Sequence, residues 1–201
     1  MTNFFYYNGL CGTRYVGYYN DNPNWFLTAS PQGDTNSLSS IDRFTSSTQT
    51  NQDNYSWEWI GYFKANSNEA YTFYTSSDDS SFLWLGNAAA SGYLTSNALV
   101  NNGGLHGKLE KQGTTSNPLV SGQYYPIRIQ YGEKTGGDII TISFSTNTKS
   151  KTTNGTGYFF SAVNCGGTPD STIYLGSSKI SSIMLGNSLV SKIYLGETRI
   201  F

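Results

Sequence analysis

The sequence predicts an all-β protein, an antiparallel β-sandwich with a small β-repeat region at its C-terminal end. Three observations carry this. Apolar side chains recur with a period of two in many short runs, and that period sends successive side chains to opposite faces of a strand. Helix periodicity is nearly absent. The third is composition: Ser, Thr and Asn number 27, 22 and 19 of 201 residues, and there are 16 Tyr and 15% aromatics, which suits a hydroxyl-solvated surface over an aromatic core. Short strands separated by Gly/Asn/Ser loops are the pattern of a sandwich or barrel.

In chain order, Trp57 and Trp59 alternate with Glu58 and Ile60, Tyr71 and Phe73 with Thr72 and Tyr74, and Phe82 and Trp84 with Leu83 and Leu85. Tyr125, Ile127, Ile129 and Tyr131 alternate with Tyr124, Pro126, Arg128 and Gln130, and Ile140, Ile142 and Phe144 with Ile139, Thr141 and Ser143. Pro126 lacks an N–H, so its strand is expected at an edge or starting near that point. The best helix candidate, Asn87-Ala88-Ala89-Ala90, is one turn at most. Two polar stretches, 33–56 and 145–157, read as surface loops.

The last thirty residues repeat every ten. Ile173-Tyr174-Leu175-Gly176 is followed by Ile183-Met184-Leu185-Gly186 and Ile193-Tyr194-Leu195-Gly196, each closed by a second apolar residue, Ile180, Val190 or Ile200. Each unit reads as strand, turn, strand. Ten residues cannot bury their own apolar face, so the units are expected to stack on each other, on the main domain or on other copies, as a homo-oligomer. Gly166-Gly167-Thr168-Pro169-Asp170 reads as a linker. This divides the chain into a domain over 1–167 and an oligomerisation or attachment region over 168–201.

Charge and hydropathy exclude several roles. Charged residues are 12%, against about 25% in ordinary domains. The net charge of −1 gives no basic face for nucleic acid and no polybasic membrane contact. No apolar run approaches the roughly 18 residues that span a bilayer. The N-terminus, Met1-Thr2-Asn3-Phe4-Phe5, shows no basic region followed by an apolar stretch, although the composition looks extracellular. Either a leader has been removed or the protein leaves its cell by lysis, in a virus particle; Met1 favours the second. Cys11 and Cys165 bracket most of the chain, and they either bridge or stay free thiols.

The segment Tyr71-Thr72-Phe73-Tyr74-Thr75-Ser76-Ser77-Asp78-Asp79-Ser80-Ser81-Phe82-Leu83-Trp84-Leu85-Gly86 resembles the signature of the anthrax protective-antigen-like β-sandwich, a lectin-like domain, in its GLEYA-type adhesin branch. Trp59-Ile60-Gly61-Tyr62-Phe63, Gly122 to Gly132 with its Tyr-Tyr-Pro, and Gly155-Thr156-Gly157-Tyr158-Phe159-Phe160 fit the same pattern, so the resemblance covers roughly 5–165. It implies that Asp78 and Asp79 bind Ca²⁺ across a cis peptide and that the ion binds sugar hydroxyls. Ca²⁺ takes 6–8 oxygens at about 2.3–2.6 Å, and vicinal hydroxyls can replace its waters. The adhesins complete the site with an Asn after the Tyr-Tyr-Pro strand. Here Tyr131-Gly132-Glu133-Lys134-Thr135-Gly136-Gly137-Asp138 has none, and Glu133 or Asp138 is the available oxygen donor. Metal ligands are therefore expected at Asp78, Asp79 and Glu133, and glycan contacts at these, at Asp138 and at Tyr93, an aromatic able to stack on a sugar ring.

The terminal units, Lys192-Ile193-Tyr194-Leu195-Gly196 above all, resemble short repeats near the ends of bacteriophage virion and tail proteins. Together these features predict a non-enzymatic virion protein (tail, neck, baseplate, fibre or head decoration) whose partners are other virion proteins and a host-surface glycan. The alternatives are a structural decoration protein with a degenerate sugar site, and a secreted cell-surface adhesin. His106, the one histidine, lacks a nucleophile-elbow sequence nearby, and Glu58 with Glu133 is the only weak glycosidase pairing.

Overall fold

The computed structural model describes residues 6–32, 36–38, 42–43, 53–162 and 165, and six short strands between 173 and 199. The chain divides into two compact units, Met1–Gly166 and Gly167–Phe201.

The first unit is a β-sandwich of two antiparallel sheets. The larger contains β1 (Tyr7–Asn8), β2 (Leu10–Val16), β3 (Asn36–Leu38), β5 (Tyr55–Lys64), β7 (Ser80–Leu85), β8 (Val100–Asn102), β10 (Tyr124–Glu133) and β12 (Phe159–Ser161). Its main order is β1-β12-β5-β10-β7-β8, with β2 also paired to β5 and β3. The smaller runs β4-β11-β6-β9, from β4 (Asp42–Arg43), β6 (Thr72–Asp78), β9 (Leu109–Thr114) and β11 (Ile139–Ser145).

The alternation read from the sequence explains the layers. Trp57, Trp59 and Phe63 of β5, Ile127, Ile129 and Tyr131 of β10, Phe73 of β6 and Ile140, Ile142 and Phe144 of β11 all enter the core between the sheets. Each such side chain contributes roughly 1.5–3 kcal/mol on burial. The larger sheet is covered on its other face too. There Tyr15, Tyr19, Phe26, Phe82, Trp84, Ala89 and Tyr93 form a second cluster, supplied partly by a 3₁₀ turn over Pro23–Leu27 and by α1 (Asn87–Ala90). The 3₁₀ turn starts from Asn22, whose side chain accepts the Asn24 amide at 3.1 Å, with Pro23 next.

Pro126 does not sit in an edge strand. β10 is central, between β5 and β7, but its ladder with β7 begins only at Ile127, so the proline meets no demand for an N–H there. The polar stretch 33–56 is not all loop: it contains β3 and β4 and the start of β5. A disulfide joins Cys11 on β2 to Cys165, with Cα atoms 5.3 Å apart.

The second unit consists of three two-stranded antiparallel hairpins: β13 (Ile173–Leu175) with β14 (Ser178–Ile180), β15 (Met184–Leu185) with β16 (Ser188–Leu189), and β17 (Tyr194–Leu195) with β18 (Thr198–Arg199). Ile183, Val190, Ile193, Ile200 and the linker 166–170 lie outside the described residues.

Candidate metal and glycan site

β6 ends at Asp78 and β7 starts at Ser80, so Asp79 alone makes the turn from one sheet to the other, and the Asp78–Asp79 peptide bond is cis. Asp79 is buried. Its Oδ1 accepts the His106 amide at 2.9 Å and its Oδ2 the Lys134 amide at 3.0 Å, so two different loops fix its carboxylate. Asp78 is half-buried. Its carbonyl accepts the Tyr131 hydroxyl at 2.7 Å, and burial, then the neighbouring Asp79 charge, raises its carboxyl above the usual range.

Glu133 is the last residue of β10 and is fully buried. Parity explains its direction: it lies two residues beyond Tyr131 on the face that enters the sandwich. Gly132, between them, lets the strand lie against Tyr19, since a Cβ there would stand 2.5 Å from that ring. Burial, then the charges of Asp79, Asp138 and Asp78, pushes the Glu133 carboxyl up to about 8. Its Oε1 is buried without a hydrogen-bond partner.

Asp78, Asp79 and Glu133 each offer one carboxylate oxygen, all within 4.8 Å of one another. Oxygens at about 2.3–2.6 Å from a common Ca²⁺ are at most about 5 Å apart, so one ion fits all three. The unpartnered Glu133 Oε1 gives this fit a second basis, because a buried oxygen with no donor is costly until a cation meets it.

Asp138 stands beside this cluster: its charge acts on Asp78 and on Glu133, and its Oδ2 accepts the Tyr55 hydroxyl at 3.2 Å. Burial raises both Tyr55 and Tyr131 above the ordinary phenol range. Tyr93 is not brought to the cluster. It is buried in the second hydrophobic cluster, 5.9 Å from Trp84, with the Arg128 guanidinium 4.1 Å above its ring, which leaves no open face for a sugar. Arg128 is five residues from Glu133 along β10, roughly 16 Å. Nor do Glu58 and Glu133 face each other. Glu58 opposes Gln130 and Glu133 opposes Tyr55, an odd offset that puts the two acids on opposite faces of the sheet. Glu58 is instead ion-paired with Arg128.

The backbone donors at His106 and Lys134 carried no signal in the sequence, because any residue supplies an amide. The same holds for the loop that presents His106, held by the Asp21 carboxylate, which accepts the Gly104 amide at 2.7 Å. Beneath the turn, the Asn102 amide donates to Ser77 Oγ at 2.9 Å, and Ser77 meets Ser81 at 2.7 Å.

Residues 55–146 match the GLEYA domain. That stretch runs from β5 through β11 and contains all three carboxylates and both loops that fix Asp79. Among solved structures, the chain is similar to the epithelial adhesin 6 A domain of Candida glabrata in complex with Galβ1-3GlcNAc, at 18% identity and TM-score 0.59, over 80% of this chain and 89% of that one. It is similar to the PA14 domain of the MpAFP antifreeze protein at 12% identity and TM-score 0.58, over 80% and 94%. It is also similar to an anti-sigma factor domain-containing protein from Clostridium clariflavum at 22% identity and TM-score 0.57, over 76% of this chain and 47% of that one. The chain thus spans about half the length of the Clostridium protein. These likenesses show the fold, a PA14-like β-sandwich with the GLEYA stretch at its centre. No curated protein matches the chain.

Proposed function

We propose that the first unit is a calcium-dependent glycan-binding domain that attaches its bearer to a cell surface without catalysis. The observation that carries this is the buried, unpartnered Oε1 of Glu133, held with Asp78 and Asp79 at distances that suit one Ca²⁺. These three residues would hold the ion, which supplies a Lewis-acidic point whose waters vicinal sugar hydroxyls can replace. Asp138 borders the same mouth. Three carboxylates and one divalent ion leave a residual negative charge, which favours neutral sugars over acidic ones. The adhesin neighbour, solved in complex with Galβ1-3GlcNAc, supports a sugar of the galactose type.

Titration calorimetry with Ca²⁺ on the wild type and on Asp79→Asn tests the reading. A saturable heat in the wild type that vanishes in the variant supports it, and equal heats in both overturn it. Lactose titrated in excess calcium then tests the sugar.

The second unit is the attachment and self-association device in this reading, joining the lectin-like domain to further copies and to other virion proteins. Its support is the ten-residue repeat, with one hairpin in each unit. Native mass spectrometry of the full chain checks it, and a monomer at all concentrations overturns it. A second placement, on a secreted or cell-surface adhesin, is favoured by the Cys11–Cys165 bridge, because disulfides persist in oxidising surroundings. Among the described residues no helix is long and apolar enough to cross a membrane.

A further inference from the structure

We infer that the glycan surface continues beyond the three carboxylates onto the outer face of the smaller sheet, where a groove takes a second part of the same oligosaccharide. This rests on the glycan-binding reading and adds to it that the ligand is a chain of rings rather than a single sugar.

Strand parity makes the connection. Asp78, Ser76 and Tyr74 alternate along β6, so they share one face. Ser76 stands opposite Thr141 of β11 and Glu110 of β9, and Tyr74 stands opposite Ser143. Ser76, Glu110, Thr141, Ser143 and Lys151 line a groove of about 550 Å³. That volume lies within the roughly 300–1,000 Å³ of ligand sites. The groove opens at Ser76, only two residues from Asp78, roughly 7 Å along the strand.

Its chemistry is that of a polyol site. The floor is hydroxyl-bearing, and these five lining residues include no apolar side chain. One wall is an ion pair that offers donors and acceptors side by side: Lys151 Nζ lies 2.7 Å from each carboxylate oxygen of Glu110. Two constraints hold that wall before any ligand arrives. The ammonium rests 4.2 Å above the Tyr74 ring. The adjoining Thr152 exchanges two backbone hydrogen bonds with Phe144, each 3.0 Å. Groups fixed in advance reduce the ordering cost of binding. An apolar peptide would find no pocket here for its side chains, whereas sugar hydroxyls can join the existing donors and acceptors.

The test is an array of mono- to tetrasaccharides of galactose, glucose and mannose, probed with the full chain in excess calcium. The comparison is the double variant Glu110→Ala with Lys151→Ala, whose side chains are more than 40% exposed, so that removing this exposed pair should change stability little. The wild type is expected to hold tri- and tetrasaccharides about tenfold more tightly than the matching monosaccharide. The variant should lose that gain and keep monosaccharide binding. Equal binding at every length, or a gain untouched by the double variant, overturns the groove and leaves the metal site standing. A length-dependent, variant-sensitive signal that survives chelation supports the groove and removes the calcium reading. Binding to none of the glycans overturns both.

Discussion

Glu133 stands directly opposite Tyr55 in the β5–β10 ladder, and Tyr55 donates its hydroxyl to Asp138. The mouth of the sandwich therefore gathers four acids, of which only Asp138 accepts from that phenol. In the metal-free protein burial, then the repulsion of these acids, pushes the Glu133 carboxyl up to about 8, which favours its neutral form at neutral pH.

This has a consequence for stability. The group has a raised folded pKa, so the stability tied to its neutral form is complete below the unfolded value of about 4.5 and is lost as pH rises through 8. In a chelator, the melting temperature should fall between pH 5 and pH 9, by about 3 °C or more. Glu133→Gln should flatten that dependence and raise the metal-free melting temperature at pH 9. Thermal scans across pH on both proteins check this.

Calcium binding should show the opposite slope. The ion must displace the Glu133 proton below pH 8, so affinity should rise by up to about tenfold per pH unit there and level off above it. Calorimetric titrations at several pH values, with buffers of different ionisation enthalpy, would measure the released proton directly.

Gly132→Ala places a methyl 2.5 Å from the Tyr19 ring. The clash should cost about 1–3 kcal/mol. Because Glu133 is the next residue, calcium affinity should weaken as well. Denaturant unfolding and a calcium titration on the same variant give the two readouts.

Arg128→Met separates stability from the site. Its guanidinium pairs with Glu58, also donates to the Ala89 carbonyl at 3.2 Å, and covers Tyr93. Glu58 keeps a hydrogen bond from Gln130 at 2.8 Å but loses its counter-charge in a largely buried place. The loss should be about 3–5 kcal/mol. Calcium affinity, roughly 16 Å away along β10, should stay within twofold of wild type.

Cys11→Ser opens a loop whose ends are 154 residues apart in sequence. The expected loss is about 2–5 kcal/mol, read by urea unfolding against the oxidised wild type.

Much of the sandwich was legible because alternation survives in the strands that border the inter-sheet core, as at Trp57, Trp59, Ile127 and Ile129. It was less legible where the larger sheet is covered on both faces. There Phe82 and Trp84 belong to one layer and Leu83 to the other, so the pattern no longer separates inside from outside. The aspartate pair was visible as a motif. Glu133 and Asp138 were both visible as oxygen donors, but their placement was not: that Glu133 lies within 4.8 Å of the aspartate pair while Asp138 accepts from Tyr55 depends on which face a strand end presents and on a distant tyrosine. Tyr93 looked available between Gly92 and Leu94, and no local rule places Arg128, 35 residues later, across its ring. Pro126 meets the second of its two expected placements: its strand is central, but it starts only two residues earlier, at Tyr124, where the flanking strand β7 has already ended.

The bridge between Cys11 and Cys165 also decides how the first unit would carry mechanical load. Cys165 is the penultimate residue of that unit, so a pull arriving from the C-terminal side meets the sulfur link before it reaches the three-residue strand β12. The link lands on β2, which shares a six-residue ladder with β5. The short strand β12 is thereby bypassed, because the sulfur link ties the end of the unit directly to β2.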